Sequence, residues 1–179
     1  MKLISIKHVP NIISAIRLLL VMPVMWLIGS GYYASALLLF MIAAVSDGVD
    51  GYIARRYNCG SHLGGWLDPV ADKLMQTGAF FMLTWTGLLP WWLFTVVVSR
   101  DAVIVAGGLG YYYFVERVDA QPSLISKLNT VVQMLLIVVV LSGTLYTLPT
   151  VLTIGMMAAV VITTAWSGVH YLVVWSRRA

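Results

Sequence analysis

The sequence predicts an all-α integral membrane protein of six transmembrane helices joined by short loops, with both termini cytoplasmic. Three observations carry that prediction. Of 179 residues, 60% are hydrophobic and only 10% charged, with a mean hydropathy of +0.90, whereas a soluble domain carries about a quarter charged residues. Apolar runs of the roughly 20 residues that a helix needs to cross the hydrocarbon core recur six times. Three alternate breaks between the runs carry no lysine or arginine, and eight basic residues cluster at the opposite ends, the asymmetry of the positive-inside rule.

The runs lie at Ile12–Ile28, Tyr33–Ile53, Leu67–Leu88, Trp91–Val115, Leu124–Leu145 and Val151–Trp175. They use up nearly the whole chain, so neighbouring helices should be antiparallel and residues 1–179 form one membrane domain. The lead-in "MKLISIKHVP" (1–10) fits a short interfacial helix as well as a frayed basic terminus. The uncharged breaks "GSGYY", "LLPWW" and "TLPT" share one side, where Tyr32, Tyr33, Trp91 and Trp92 suit an interfacial aromatic belt. Lys2, Lys7, Arg55, Arg56, Arg117, Lys127, Arg177 and Arg178 mark the other side. The net charge of +4 is therefore a topology signal that favours anionic headgroups, and nucleic acid is not an expected partner.

No cleaved signal peptide is expected, because the first apolar run is longer than a typical signal core and lacks a small-residue cleavage site. The single cysteine, Cys59, excludes an intramolecular disulfide framework and reads as a small filler near a helix end. His8, His62 and His170 are scattered, without the spacing of metal ligands.

Against this apolar background stands "SDGVDGYIARRYNCGSHLGGWLDPVADK" (Ser46–Lys73), with four of the seven acidic residues of the chain. A charge at mid-membrane costs about 2.5–3.5 kcal/mol on insertion scales, so such residues usually face a polar interior and carry function. Asp47 and Asp50 stand at i and i+3, Asp68 and Asp72 at i and i+4, so each pair shares one helical face. The short link Tyr57–Gly64 lets the pairs meet. Four converging carboxylates make a hard, all-oxygen site suited to Mg²⁺, Mn²⁺ or Ca²⁺, not to zinc. Two divalent ions would cancel the four charges, and such a pair suits displacement at phosphorus. Gly51, Ala54 and Gly64 leave room beside the carboxylates, and Arg55 can grip a phosphate in a fork that lysine lacks.

Each feature has an ordinary alternative. Gly51 and Ala54 suit helix packing, Arg55 and Arg56 suit membrane anchoring, and Asp68 before Pro69 suits the cap of a helix that starts at proline. Lys73 suits a headgroup anchor or a partner for the acidic cluster. No packing requirement calls for all four carboxylates together.

The pattern Asp47-x2-Asp50-Gly51-x2-Ala54-Arg55-x8-Gly64-x3-Asp68-x3-Asp72 resembles the motif of the CDP-alcohol phosphotransferase family at every fixed position. The resemblance implies a homodimeric six-helix membrane enzyme that uses two divalent cations, Mg²⁺ or Mn²⁺. It would move a phosphatidyl group from CDP-diacylglycerol to an alcohol and release CMP. It also implies that Asp47, Asp50, Asp68 and Asp72 are metal ligands, and that Asp72 is the catalytic base for the attacking hydroxyl. Gly51, Ala54, Arg55 and Gly64, with Asp47, Asp50 and Asp68, would form the CDP-donor site. The expected setting is a bacterial cytoplasmic (inner) membrane, with the site on the cytoplasmic side that the lysines and arginines mark.

Three further stretches bear on the acceptor. "PNIISAIRLLLVMPV" (Pro10–Val24) and "SRDAVIV" (Ser99–Val105) look like the phosphatidylglycerophosphate synthase and cardiolipin synthase branches. "PSLISKLNTVVQ" (Pro122–Gln133) most resembles the CMP-forming cardiolipin synthases, while glycerophosphate-using enzymes usually show Gly-Lys-x-Lys-Thr there. Glycerol 3-phosphate brings a dianion that a second lysine helps neutralise, whereas phosphatidylglycerol brings a monoanionic diester. Asn129 in place of lysine thus leans toward phosphatidylglycerol, with glycerol 3-phosphate as the alternative. Arg17, Arg100, Lys127 and Asn129 are the candidate acceptor and phosphate ligands. Arg100 has an ordinary alternative as an ion pair with Asp101 or with another span.

A cation transporter is the reading from a different class. It would place its acidic groups near the midplane in repeated halves, whereas here they crowd one end and no second copy occurs.

Overall fold

A computed structural model describes residues 9–57, 64–114 and 124–176, with the side chains at 9–13, 47–57, 64–69, 108–114 and 170–176 outside the described set. All regular structure among the described residues is helical: α1 (Val9–Gly29), α2 (Tyr33–Tyr57), α3 (Gly64–Trp85), α4 (Trp91–Phe114), α5 (Leu124–Gly143) and α6 (Thr150–Ser176). Each expected run became one helix. Among the described residues, Leu124–Gly143 and Thr150–Val169 are long and apolar enough to cross a membrane, and Ser14–Gly29 and Tyr33–Ser46 are shorter apolar helices.

The helices form two packing units, residues 1–88 with 141–146 and residues 89–140 with 147–179. In the first, α1 packs against both α2 and α3. Its buried positions Ser14, Arg17, Val21, Val24 and Ile28 follow alternating steps of three and four, the spacing that keeps one helical face inward. Ala36, Phe40 and Ala43 of α2 and Ala71, Met75, Ala79, Phe80 and Leu83 of α3 complete this core. Where α3 meets α1, a Cβ added at Gly78 would stand 2.9 Å from Met25 Sδ. Small residues allow such close helix contact.

Two glycines end helices in this unit. Gly31 and Gly87 have φ of 79° and 78°, values that L side chains rarely adopt. Gly31 N–H donates to Ile28 O and Tyr32 N–H to Leu27 O; Gly87 N–H donates to Thr84 O and Leu88 N–H to Leu83 O. Both sets are Schellman closures, which satisfy the last carbonyls of a helix. This is why α3 stops at Trp85 and not at the expected Leu88. At its other end α3 begins at Gly64, so Asp68 lies inside the helix, and its alternative reading as the cap is corrected.

In the second unit α4 packs against α6. Buried positions again keep to one face of each helix: Leu93, Val97 and Arg100 on α4; Asn129, Gln133, Leu136, Ile137 and Val140 on α5; Val160, Thr164 and Ser167 on α6. On α4 and α6 the buried stripe turns from apolar to polar along the chain, and on α5 from polar to apolar. Trp91 and Trp92 at the start of α4 are exposed, as is Tyr32 before α2, in keeping with an aromatic belt.

Candidate active site

Two groups of predicted residues are placed by the helices. Asp47, Asp50, Gly51, Ala54 and Arg55 fall on α2, and Gly64, Asp68 and Asp72 on α3. The side chains at these positions, Asp72 excepted, lie outside the described residues, as do Cys59, His8, His62 and the side chain of His170. The two aspartate pairs are thus carried by separate helices that share α1 as a neighbour. The Asp72 carboxylate is half-buried and engaged within the protein, and Lys73 beside it is likewise engaged. Among the described residues no three His, Cys, Asp or Glu side chains are gathered. The donor set on α2 and α3 fits a hard divalent cation by its chemistry, since every predicted ligand is a carboxylate.

The predicted acceptor residues divide between the units. Arg17, in the first, is 2% exposed on the inner face of α1 and is engaged there. Arg100, Lys127 and Asn129 belong to the second. Lys127 is exposed. Arg100 is buried, and its guanidinium is the hub of that unit. Nη1 donates to Asp101 Oδ1 at 3.0 Å, an ion pair whose side chains are 7% and 14% exposed. Nη2 donates to Ser126 Oγ of α5 at 2.9 Å and to Ser167 Oγ of α6. The alternative reading of Arg100 as a partner of Asp101 is therefore met, and the same group also binds two other helices. This distribution suits a buried cation, because each added hydrogen bond offsets part of its desolvation.

One turn along α5, Asn129 is fully buried. Its Oδ1 accepts from Thr163 Oγ1 at 2.9 Å and Thr164 Oγ1 at 3.0 Å, both on α6. Thr163 Oγ1 also lies 2.8 Å from Ala159 O and 3.1 Å from Val160 O, so its single proton has three competing acceptors, and Thr164 is the donor with the firmer claim on Asn129. Arg100 Nε and Asn129 Nδ2 are buried donors without a hydrogen-bond partner among the described residues.

Beside these contacts, a cleft of about 340 Å³ opens between α4 and α6, with Arg100 and Thr164 in a wall otherwise dominated by Val96, Val103, Val161 and Val169. Sequence reasoning did not single out Thr163, Thr164 or Ser167. The signal was available: three hydroxyls share one face of an apolar helix and match the three-residue step from Ser126 to Asn129.

Comparison with known proteins gives a consistent result. The family described as CDP-alcohol phosphatidyltransferase matches residues 7–167. The chain is 34% identical to a "Probable cardiolipin synthase (CMP-forming)" of Drosophila melanogaster, over 73% of this chain and 45% of that protein. It is 32% identical to a "Probable phosphatidylglycerophosphate synthase" of Mycobacterium tuberculosis (strain ATCC 25618 / H37Rv), over 93% of this chain and 81% of that protein. It is 41% identical to a "Cardiolipin synthase (CMP-forming)" of Streptomyces coelicolor, over 54% and 48%. The chain thus spans less than half of two of these relatives and most of the third.

Proposed function

We propose a phosphatidyl transfer for this chain, which belongs to the CDP-alcohol phosphatidyltransferase family. The group moves from CDP-diacylglycerol to an alcohol, CMP leaves, and phosphatidylglycerol is the acceptor. The observation that carries the transfer is the eight-residue aspartate pattern within the span that matches the family. Members of this family are membrane-embedded and generally use divalent metals.

In this reading Asp47, Asp50, Asp68 and Asp72 hold two Mg²⁺ or Mn²⁺ ions. When bound, the ions neutralise the pyrophosphate and lower the pKa of the attacking alcohol. Asp72 takes the proton from that hydroxyl as it attacks the phosphorus next to the diacylglycerol. Gly51, Ala54 and Gly64 admit the nucleotide without a side chain in the way, and Arg55 grips its phosphate. Asp72 carries a double task as ligand and base, so its loss removes more than either role alone.

The acceptor reading rests on Asn129 and the cleft. A neutral amide at 129 adds no charge for a dianion, and the largely apolar α4–α6 cleft suits a lipid more than a glycerophosphate. Lys127, Arg100 and Arg17 supply positive charge for a phosphodiester. Glycerol 3-phosphate stands as the alternative, because relatives of both names match this chain.

The family match runs across both packing units and supports one catalytic domain over 1–179. All six helices span the membrane in this reading. Both termini and the aspartates face the cytoplasm of a bacterial cell at its inner membrane, and the chain works as a homodimer. The test is CMP release by purified protein with CDP-diacylglycerol and Mg²⁺, compared across phosphatidylglycerol, glycerol 3-phosphate and inositol phosphate. The reading expects cardiolipin from the first; product from glycerol 3-phosphate alone would reverse the acceptor assignment.

A further inference from the structure

We infer that Thr163, Thr164 and Ser167 of α6 are positioning residues for the acceptor site, acting through Ser126 and Asn129 to fix the rotation of α5 and so the direction of Lys127. The inference rests on the acceptor reading above only for its kinetic consequence; its structural part stands on the contacts themselves.

In hydrocarbon, apolar side chains gain little by leaving lipid for a neighbouring helix, so specific hydrogen bonds and close packing set how one helix is rotated against another. Most of α5 is apolar, and an apolar helix can turn about its axis at little cost. Polar anchors oppose that, two of them at Ser126 and Asn129, with buried Gln133 engaged one turn further along the same face. Ser126 is tied to Arg100 Nη2, which also donates to Ser167. Asn129 is tied to Thr164 and Thr163. These two anchors are three residues apart on one face, about 4.5 Å along the axis. Two separated points on one face fix both rotation and axial register.

Lys127 lies between the anchors in sequence and is exposed. Adjacent residues in a helix diverge by about 100°, so holding Ser126 and Asn129 inward holds Lys127 to one defined outward direction. None of the three α6 hydroxyls needs to touch substrate for this. The single-proton limit on Thr163, whose hydroxyl also faces Ala159 O, makes Thr164 the stronger anchor at 129.

The test uses the full chain in lipid nanodiscs. Thr163→Val with Thr164→Val removes both hydroxyls at nearly constant shape; Thr163→Ser with Thr164→Ser keeps them. The valine pair should raise the KM for phosphatidylglycerol roughly tenfold, since a small misplacement of a binding group is expensive, with the KM for CDP-diacylglycerol nearly unchanged. The serine pair should restore the acceptor KM. Independently of activity, Lys127→Cys in a Cys59→Ser background is labelled with a water-soluble maleimide. Its rate should change severalfold when the valine pair is added and return with the serine pair. Equal rises in both KM values, or an unchanged labelling rate, would overturn the inference. If the wild-type chain releases no CMP with any acceptor, the proposed reaction fails while the labelling comparison still decides the positioning. Thr164→Val alone is read the same way if the valine pair does not fold.

Discussion

Thr164 on α6 donates its hydroxyl to Asn129 Oδ1 on α5 at 3.0 Å, with both side chains buried. In water such a bond would contribute about 0.5–1.5 kcal/mol. Between membrane helices the measured average is about 0.6 and the maximum about 1.7 kcal/mol, because the separated helices also find partners. Thr164→Val should therefore lower stability by about 1 kcal/mol, read as a modest fall in Tm in detergent. A loss several times larger would mean that the hydroxyl holds more than Asn129.

The Arg100–Asp101 pair behaves differently. Removing one member of a buried ion pair costs about 3–5 kcal/mol, and this part-buried pair should sit near the low end of that range. Arg100→Met should thus destabilise the chain far more than Thr164→Val. Adding Asp101→Asn to it should recover part of the loss in thermal unfolding. Arg100→Lys should recover less than charge alone suggests, because one ammonium cannot reproduce the fork that reaches Asp101, Ser126 and Ser167.

Helix contact in the first unit turns on Gly78. Gly78→Ala presses a methyl against the thioether of Met25, a flexible side chain that can shift, so the expected cost is small. Gly78→Val should cost about 1–3 kcal/mol, in the range of overpacked cores. Equal Tm values for the two variants would show that α1 and α3 have slack at this crossing.

Much of this was legible in the sequence. Six helices could be read from the lengths of the apolar runs and the breaks between them. Helix ends were less legible. The stop of α3 depends on Gly87 at positive φ, and its start at Gly64 reaches back past Asp68–Pro69, which local signals mark as a beginning. The aspartate pattern could be read as spacing, and the side chains of Asp47, Asp50 and Asp68 lie outside the described residues. The Asn129–Thr163–Thr164 and Arg100–Ser126–Ser167 contacts could not be read, because each depends on which faces of distant segments meet.

Metal dependence is the expectation from the proposed carboxylate set. EDTA should abolish CMP release, and Mg²⁺ or Mn²⁺ should restore it, while Zn²⁺ should not, since it favours nitrogen and sulfur ligands. Full activity in chelator would remove the metals from the proposed chemistry.

The most direct test is Mg²⁺-dependent CMP release from CDP-diacylglycerol by the purified wild-type chain and its Asp72→Asn variant. The proposed chemistry predicts release by the wild type and a loss of about a thousandfold or more in the variant, which should remain folded with an unchanged helical spectrum. Wild-type turnover by Asp72→Asn would contradict it.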